Sequence, residues 1–202
     1  MIRARAGARA EQKEATRAHV FAHALRLFDE RGYDAVSVED VVRAAGVARG
    51  TFYVHFPTKD DVLIELIRQS DAKICARMRA ARAKTFKDVL RATAKAFADN
   101  WRKRRALLPH AGAVAMRRIA GVAGEREVQP LRVELVTHVA RAIERKELRA
   151  TLPPQMLADV FLLDVFSALM AWAAAGAPKL ELVMDGVIDL YLHGAGALRS
   201  KR

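Results

Sequence analysis

The sequence predicts an all-α protein with a small N-terminal three-helix domain followed by a larger helical domain. Apolar residues recur at intervals of three and four through most of the chain, which is the spacing of amphipathic helices. Hydrophobic residues make up 52% of the 202 residues but aromatic residues only 6%, so the core is expected to be rich in Ala and Leu. Gly and Pro fall between the periodic segments, where they end helices.

The first ten residues predict a flexible basic arm. Apart from Ile2 this segment has no large apolar side chain, and it carries Arg3, Arg5 and Arg9. Such an arm is either a solvated tail or a source of additional DNA contacts.

The first long helix is expected over residues 11–31, with an apolar stripe that includes Val20, Leu25 and Phe28 and with Gly32 at its end. His19 and His23 have the i, i+4 spacing of metal ligands. No third ligand is apparent nearby, and a zinc site needs three or four, so no metal site is predicted.

A pair of short helices is predicted over residues 38–45 and 48–56. Ser37 is a suitable N-cap for the first helix, and Gly46 is suited to end it because glycine adopts left-handed backbone readily. Pro57 disfavours helical geometry at the preceding residue and so ends the second helix. Phe52 and Phe56 form its inner face.

The outer face of the second short helix carries side chains suited to DNA recognition. Arg can bind guanine through two hydrogen bonds, hydroxyl groups reach phosphates or base edges, and a glycine allows close backbone approach. The residues on this face are Arg49, Gly50, Thr51, Tyr53 and His55. Two helices joined by a glycine turn are typical of a helix-turn-helix, although an ordinary helical hairpin has the same spacing.

Residues 19–59 resemble the DNA-binding domain of the TetR family of transcriptional regulators, through ALRLFDERGYDAVSVEDVVRAAGV and the following ARGTFYVHFPTKDDVL. The resemblance implies that Arg49, Gly50, Thr51 and Tyr53 face the operator. It also implies that His55 and Lys59 contact phosphates and that Ser37, at the start of the preceding helix, is among the DNA-binding residues. Family members differ at Ala48 and Arg49, so the resemblance does not specify the operator sequence.

The resemblance also implies the domain organisation. Residues 11–58 are expected to form the DNA-binding domain and residues 59–202 a helical domain for effector binding and dimerisation, beginning with a helix over 59–83. Further helices are expected over residues 86–104, 107–120, 125–148, 153–175 and 180–193. The last two are apolar around much of their circumference, which favours a four-helix interface between two copies of the chain.

An effector pocket is expected among large, adaptable side chains of the second domain, although a side chain of this kind more often belongs to a simple core. The candidate contacts are Phe97, Trp101, Met116, Phe166 and Met170. Asp164 interrupts an otherwise apolar helix and should therefore bond to a partner helix, a ligand or solvent.

Composition and the lack of recognisable motifs restrict the function. The net charge of +12 and the pI near 10.4 favour a polyanionic partner. No catalytic motif, phosphate-binding glycine loop or cofactor motif is present, so the chain is not expected to be an enzyme or to need a cofactor. The lone Cys75 excludes an internal disulfide, and no apolar run was expected to be long enough to span a bilayer, so the protein should be cytoplasmic.

The resemblance implies a ligand-responsive repressor that binds a palindromic operator as a homodimer and is released by a small-molecule effector. Two alternatives remain open. The broad positive charge also suits a structural protein that binds DNA without sequence preference, and an all-α enzyme with a DNA-binding appendage would need a catalytic constellation in the second domain.

Overall fold

The computed structural model describes residues 2–119, 129–149, 152–176 and 179–194, and all regular structure in these ranges is helical. The all-α prediction is confirmed. The helices are α1 (Ile2–Arg31), α2 (Val38–Ala45), α3 (Arg49–His55), α4 (Asp60–Ala80), α5 (Phe86–Trp101), α6 (Leu108–Ile119), α7 (Pro130–Glu144), α8 (Pro154–Ala175) and α9 (Leu180–His193). A 3₁₀ segment, Arg102–Leu107, connects α5 and α6.

The chain divides into two compact units, Met1–Leu66 and Ile67–Arg202. The division falls within α4, whereas the sequence-based boundary between residues 58 and 59 precedes that helix. The boundary predicted from the sequence separates the expected DNA-binding function from the expected effector-binding function, and it remains a prediction.

The prediction of a flexible arm over residues 1–10 is wrong for the residues that the structure describes, because α1 begins at Ile2. Residues 2–18 consist mostly of Ala, Arg, Glu, Gln and Lys, which are good helix formers, and Gly7 alone is a poor one. The missing apolar residues indicate only that residues 7–15, which are all exposed, do not enter a core. The core of the first unit begins at Val20 and includes Phe28 and Phe56, which are fully buried.

The turn between α2 and α3 follows the predicted signals. Ser37 is the N-cap of α2 in a reciprocal capping box with Asp40. Gly46 has φ +63°, and the following Val47 donates its N–H to the carbonyl of Val42 at 3.1 Å. This closed turn holds the start of α3 against α2.

In the second unit, α8 packs against α6, α7 and α9, and α5 packs against α7 and α9. Helix α7 begins at Pro130, a proline at a first helical position, rather than at residue 125 as expected. Residues 120–128 lie outside the described ranges, and so does part of the predicted helix over 125–148.

Helix α8 corrects the expectation that no apolar run could span a membrane. Its 22 residues are long and apolar enough to do so by length and composition. However, Phe161, Val165 and Leu169 are buried in the core of the second unit, and Asp159 forms a two-point ion pair with Arg132 of α7. One side of α8 therefore packs into the core of the second unit.

Candidate nucleic-acid interface and effector region

Helix α3 presents to solvent the outer face that was predicted to recognise DNA. The side chain of Arg49 is 64% exposed and Tyr53 is 40% exposed. Gly50 is also exposed, and apart from its chain neighbours and the nearby backbone of its own helix, no atom lies within 4 Å of where a Cβ would stand. Phe52 of the same helix is fully buried and anchors it. The arrangement therefore leaves one whole side of a short, well-anchored helix free for a macromolecular partner.

Arg49 is held by two neighbours before any partner binds. Its guanidinium lies 2.8 Å from a carboxylate oxygen of Glu39 in α2 and 3.4 Å from the hydroxyl of Tyr53. The hydrogen bond that the guanidinium donates to the Tyr53 hydroxyl, followed by the charge of Glu39, raises the pKa of Arg49 above its usual value. The sequence analysis did not identify Glu39, because its proximity to Arg49 depends on the angle between α2 and α3.

Ser37, a predicted contact, is exposed, but its hydroxyl already has local partners. The hydroxyl donates to the Asp40 carboxylate at 2.6 Å and accepts from the Asp40 backbone N–H at 3.1 Å. The bond from the hydroxyl, followed by the bond that the Ser37 backbone N–H donates to the same carboxylate at 3.0 Å, holds the pKa of Asp40 below its usual value. The hydroxyl of Ser37 is therefore mainly a cap of α2, and a DNA contact there would have to add to this role.

His55 and Thr51 are both partly exposed. The Nδ1 atom of His55 is buried and has no hydrogen-bond partner among the described residues. Burial, followed by the charges of Lys13 and Arg17, lowers the pKa of His55, while Glu14 acts in the opposite direction. The imidazole is therefore neutral near pH 7, so it would contact a phosphate as a neutral hydrogen-bond donor rather than as a cation.

Lys59 has an internal role that the sequence did not reveal. Its ammonium donates to the carbonyl oxygen of Tyr33 at 2.9 Å and to that of Val36 at 3.1 Å. It also lies 4.1 Å from the centre of the Tyr33 ring, and the Tyr33 hydroxyl donates to Asp60. The expectation that Lys59 addresses only phosphate is thus too simple, because two of its three N–H donors already bind the loop before α2.

A partly buried ion pair lies beside the end of α3. Arg17 of α1 lies 2.9 Å from Glu65 of α4, which is only 4% exposed, and its guanidinium is 4.9 Å from the centre of the Phe56 ring. His19 shares a hydrogen bond of 2.9 Å with the carbonyl oxygen of Ala45. His19 therefore has a structural partner, and within the described ranges no group of three or more His, Cys, Asp or Glu residues could hold a metal.

The predicted effector contacts occupy different environments in the second unit. Trp101 is buried in the core, whereas Phe97 is partly exposed and Met116 is exposed. Phe166 and Met170 of α8 both pack against Gly112 of α6, where the missing side chain makes room for them. The structure thus brings two of the five residues together, at a close approach of two helices.

Two cavities of the second unit are lined by other residues. One of about 120 Å³ is bordered mainly by polar and charged side chains, among them His138, Arg141 and Glu147. The other, of about 280 Å³, is bordered by Lys73, Arg77 and Asn100 together with alanines. Neither is lined by a predicted effector contact, so the assignment of those five residues stays a prediction.

Helices α8 and α9 also expose a set of large apolar side chains: Met156, Val160, Leu163, Leu182 and Leu190. Asp164 lies on α8 next to this set, is partly buried, and has its pKa raised by that burial. Tyr191 of α9 donates to the carbonyl oxygen of Leu157 at 2.9 Å, and burial together with the charge of Asp164 raises its pKa to about 12.

Comparisons with known proteins agree with this geometry. Residues 20–66 match the family model described as bacterial regulatory proteins, tetR family. Over 62 residues the chain is 45% identical to the uncharacterised HTH-type transcriptional regulator YwcC of Bacillus subtilis, a match that covers 31% of this chain and 28% of that protein. The chain therefore matches less than a third of the length of this curated relative.

The similarity of fold extends over nearly the whole chain. The structure of Thermus thermophilus FadR, a TetR family repressor in complex with lauroyl-CoA, superposes with a TM-score of 0.72 at 22% identity and covers 92% of this chain and 98% of that one. RolR in complex with resorcinol gives a TM-score of 0.66 at 16% identity and covers 92% of each chain. The protein is therefore similar to TetR family regulators in sequence over residues 20–66 and in fold over nearly the whole chain.

Proposed function

We propose that this protein is a ligand-responsive transcriptional repressor that binds a palindromic operator as a homodimer in the cytoplasm. The observation that carries the proposal is the outer face of α3, where Arg49, Gly50 and Tyr53 are exposed on a helix anchored by Phe52. In a helix-turn-helix, such a face lies in the major groove, where arginine can distinguish guanine from the other bases. Ser37, Thr51, His55 and Lys59 are proposed to support this contact at its edges.

The exposed apolar residues of α8 and α9 support the homodimer. Val160 and Leu163 lie on one side of α8, and Leu182 and Leu190 lie on α9, so a second copy could cover all four in a four-helix interface. Dimerisation would place two α3 helices about 34–36 Å apart, or a multiple of that distance, to match one turn of DNA. The operator is accordingly proposed to be palindromic.

Effector binding is proposed to involve the contact between α6 and α8. Phe166 and Met170 occupy the space beside Gly112, and rotation of these flexible side chains would open an apolar site between the two helices. Phe97, Trp101 and Met116 are proposed to border the opened site. Lauroyl-CoA and resorcinol, which are bound to proteins of the same fold, are suitable first probes for an apolar or aromatic effector.

The mechanism is thermodynamic linkage between the two ligands. If the effector prefers a dimer in which the α3 helices are wrongly spaced, it lowers operator affinity by the same factor by which DNA lowers effector affinity. Such couplings are typically about 5- to 150-fold. The proposal therefore requires that the effector be released when excess operator is added.

The decisive experiment is selection of bound fragments from random DNA, followed by measurement of binding to the selected and scrambled sequences at one salt concentration. A repressor of this kind should prefer its operator by about 10³-fold or more, and the preference should fall when an effector is added. Equal binding to all sequences would instead favour the structural DNA-binding protein that the net charge of +12 also suits.

A further inference from the structure

The N-terminal half of α1 projects beyond the core of its own unit. Helix α1 has 30 residues, which corresponds to a length of about 45 Å. Residues 7–15 are all exposed, and the first buried residue after them is Val20. This segment therefore contributes nothing to the core of the domain, and an isolated helix of this length is only marginally stable in water.

Charge is unevenly distributed around this projecting segment. Arg9, Lys13 and Arg17 follow one another at intervals of four and therefore share one face of the helix. Measured from the midpoint between Arg9 and Lys13, Glu11 lies about 180° and Glu14 about 120° around the helix axis. The segment thus has a basic face on one side and its two carboxylates on the other.

The basic face of α1 extends toward the C-terminal end of α3, the proposed recognition helix. Arg17 packs against Phe56, the C-cap of α3, at 4.9 Å from the ring centre. Besides burial, the charges of Lys13, one turn earlier, and of the adjacent Glu14 both act on the pKa of His55, Lys13 lowering it and Glu14 raising it, so both side chains lie near His55. The basic face and the outer face of α3 are therefore neighbouring parts of one surface.

We infer that Arg9 and Lys13, on the projecting part of α1, form a second DNA-binding site that contacts backbone phosphates beside the groove occupied by α3. The inference rests on the proposed function, since it takes DNA as the partner of α3. Arg9 and Lys13 are about 6 Å apart along the helix axis, and one DNA strand carries a phosphate about every 3.4 Å along its own axis, so the two side chains can meet different phosphates.

The segment is poorly suited to the other partners of a basic helix. A membrane surface or an apolar protein groove would require large apolar side chains on one face. Residues 7–15 contain only glycine, alanine and polar or charged residues. Phosphate binding requires only positive charge and a rigid arrangement, both of which this helix has.

The test is the salt dependence of DNA binding by the Arg9→Gln/Lys13→Gln double variant. Each lost phosphate contact lowers the slope of log affinity against log salt by about 0.9, so the double variant should lose roughly 2 per protomer. It should weaken binding to operator and scrambled DNA by the same factor, because backbone contacts carry no sequence information.

A matched control is Arg91→Gln/Lys95→Gln, which removes the same residue types at the same spacing from exposed positions of α5. The control should leave the slope unchanged. A charge-preserving variant, Arg9→Lys/Lys13→Arg, should retain the slope of the parent, and circular dichroism should show equal helicity for all three variants.

An unchanged slope in the Arg9→Gln/Lys13→Gln variant would overturn the inference, and so would an equal loss in the α5 control or a loss in the charge-preserving variant. These outcomes differ from failure of the proposed function, in which the parent itself would show no preference between operator and scrambled DNA. A parent that discriminates normally, combined with an unchanged slope in the variant, would overturn the second site alone.

Discussion

The guanidinium of Arg49 and the carboxylate of Glu39 join the two helices of the helix-turn-helix at a distance of 2.8 Å. Both side chains are at least half exposed, so the pair adds little to folding stability. Its consequence is for binding: Glu39 orients Arg49, and it also places a negative charge where DNA phosphates would approach. A contact between Arg49 and the correct base can offset the free-energy cost of disturbing this ion pair. A contact with a backbone phosphate alone offsets less of that cost.

We expect Glu39→Gln to strengthen binding to scrambled DNA more than binding to the operator, and so to lower the ratio between them. Arg49→Ala should have a different effect, with a cost of about 1–3 kcal/mol on the operator and relaxed preference at one position of each half-site. Binding of both variants to the two DNAs across a salt series tests this. Equal strengthening on both DNAs by Glu39→Gln would mean that Glu39 acts through general repulsion only.

Lys59→Ala is expected to destabilise the first unit. The substitution removes two charge-assisted hydrogen bonds to the carbonyls of Tyr33 and Val36, which should lower the free energy of unfolding by about 1–3 kcal/mol. Loss of the predicted phosphate contact would in addition lower the slope of log affinity against log salt by about one. Urea unfolding and salt-dependent binding of the same variant separate the two effects, and normal stability would contradict the internal role.

Local signals made the helix pair predictable from sequence, because each acts on its immediate neighbours. Ser37 caps through a residue three positions away, and Gly46 ends α2 through its own backbone angle. The surroundings of Lys59 and Arg49 were not predictable in this way. Lys59 reaches carbonyls 26 and 23 residues away, and the Glu39 contact depends on the angle between two helices.

The effector region shows the same limit. The prediction that Phe166 and Met170 contact an effector rests on their size and flexibility, which do not distinguish a ligand contact from a core contact. Their common neighbour, Gly112, is more than fifty residues away in the sequence. Because it has no side chain, the apolar pattern of α6 does not mark it as a packing partner. The flexible-arm prediction failed for a different reason, since a lack of apolar residues excludes burial but not helix formation.

Stability should fall as the pH is lowered from about 7.5 to about 5.5, and His55 should account for part of the loss. The pKa of His55 is lower in the folded protein than the usual 6.5, so the unfolded chain binds the proton first as the pH falls through that value. The pKa of His138 is lowered too, mainly by burial. The pKa values of Asp40 and Glu134 are lowered, so their contributions are lost only at more acid pH.

Urea unfolding of the parent and His55→Gln at both pH values measures this effect. The variant should lose less stability on acidification, because one of the two shifted histidines has been removed. A His55→Gln/His138→Gln double variant should lose still less. An identical loss in all three proteins would show that the folded state does not suppress protonation of either histidine.

Leu163→Glu should convert the proposed dimer into a monomer. Leu163 lies on α8 among the exposed apolar residues, at 38% exposure, and a carboxylate at this position would be buried opposite its symmetry mate in a four-helix interface. Sedimentation at micromolar concentration gives the mass. Val133→Glu is the control, because Val133 is an exposed apolar residue of α7 and its substitution should leave the mass unchanged. A monomeric parent would refute the interface directly.

The packing of α6 on α8 predicts that the effect of Gly112→Ala depends on residue 166. In the parent, a Cβ at position 112 would overlap the ring of Phe166 and lie 3.2 Å from the sulfur of Met170, so overpacking should cost about 1–3 kcal/mol. Alanine has higher helix propensity than glycine by about 1 kcal/mol, which offsets part of that cost. In a Phe166→Leu background the ring is absent, the clash is relieved, and Gly112→Ala should become neutral or stabilising.

Urea unfolding of the parent, both single variants and the double variant gives the coupling energy between the two positions. If the cost of Gly112→Ala is the same in both backgrounds, Phe166 does not occupy the space beside Gly112, and the proposed route by which an effector opens the α6–α8 contact fails with it.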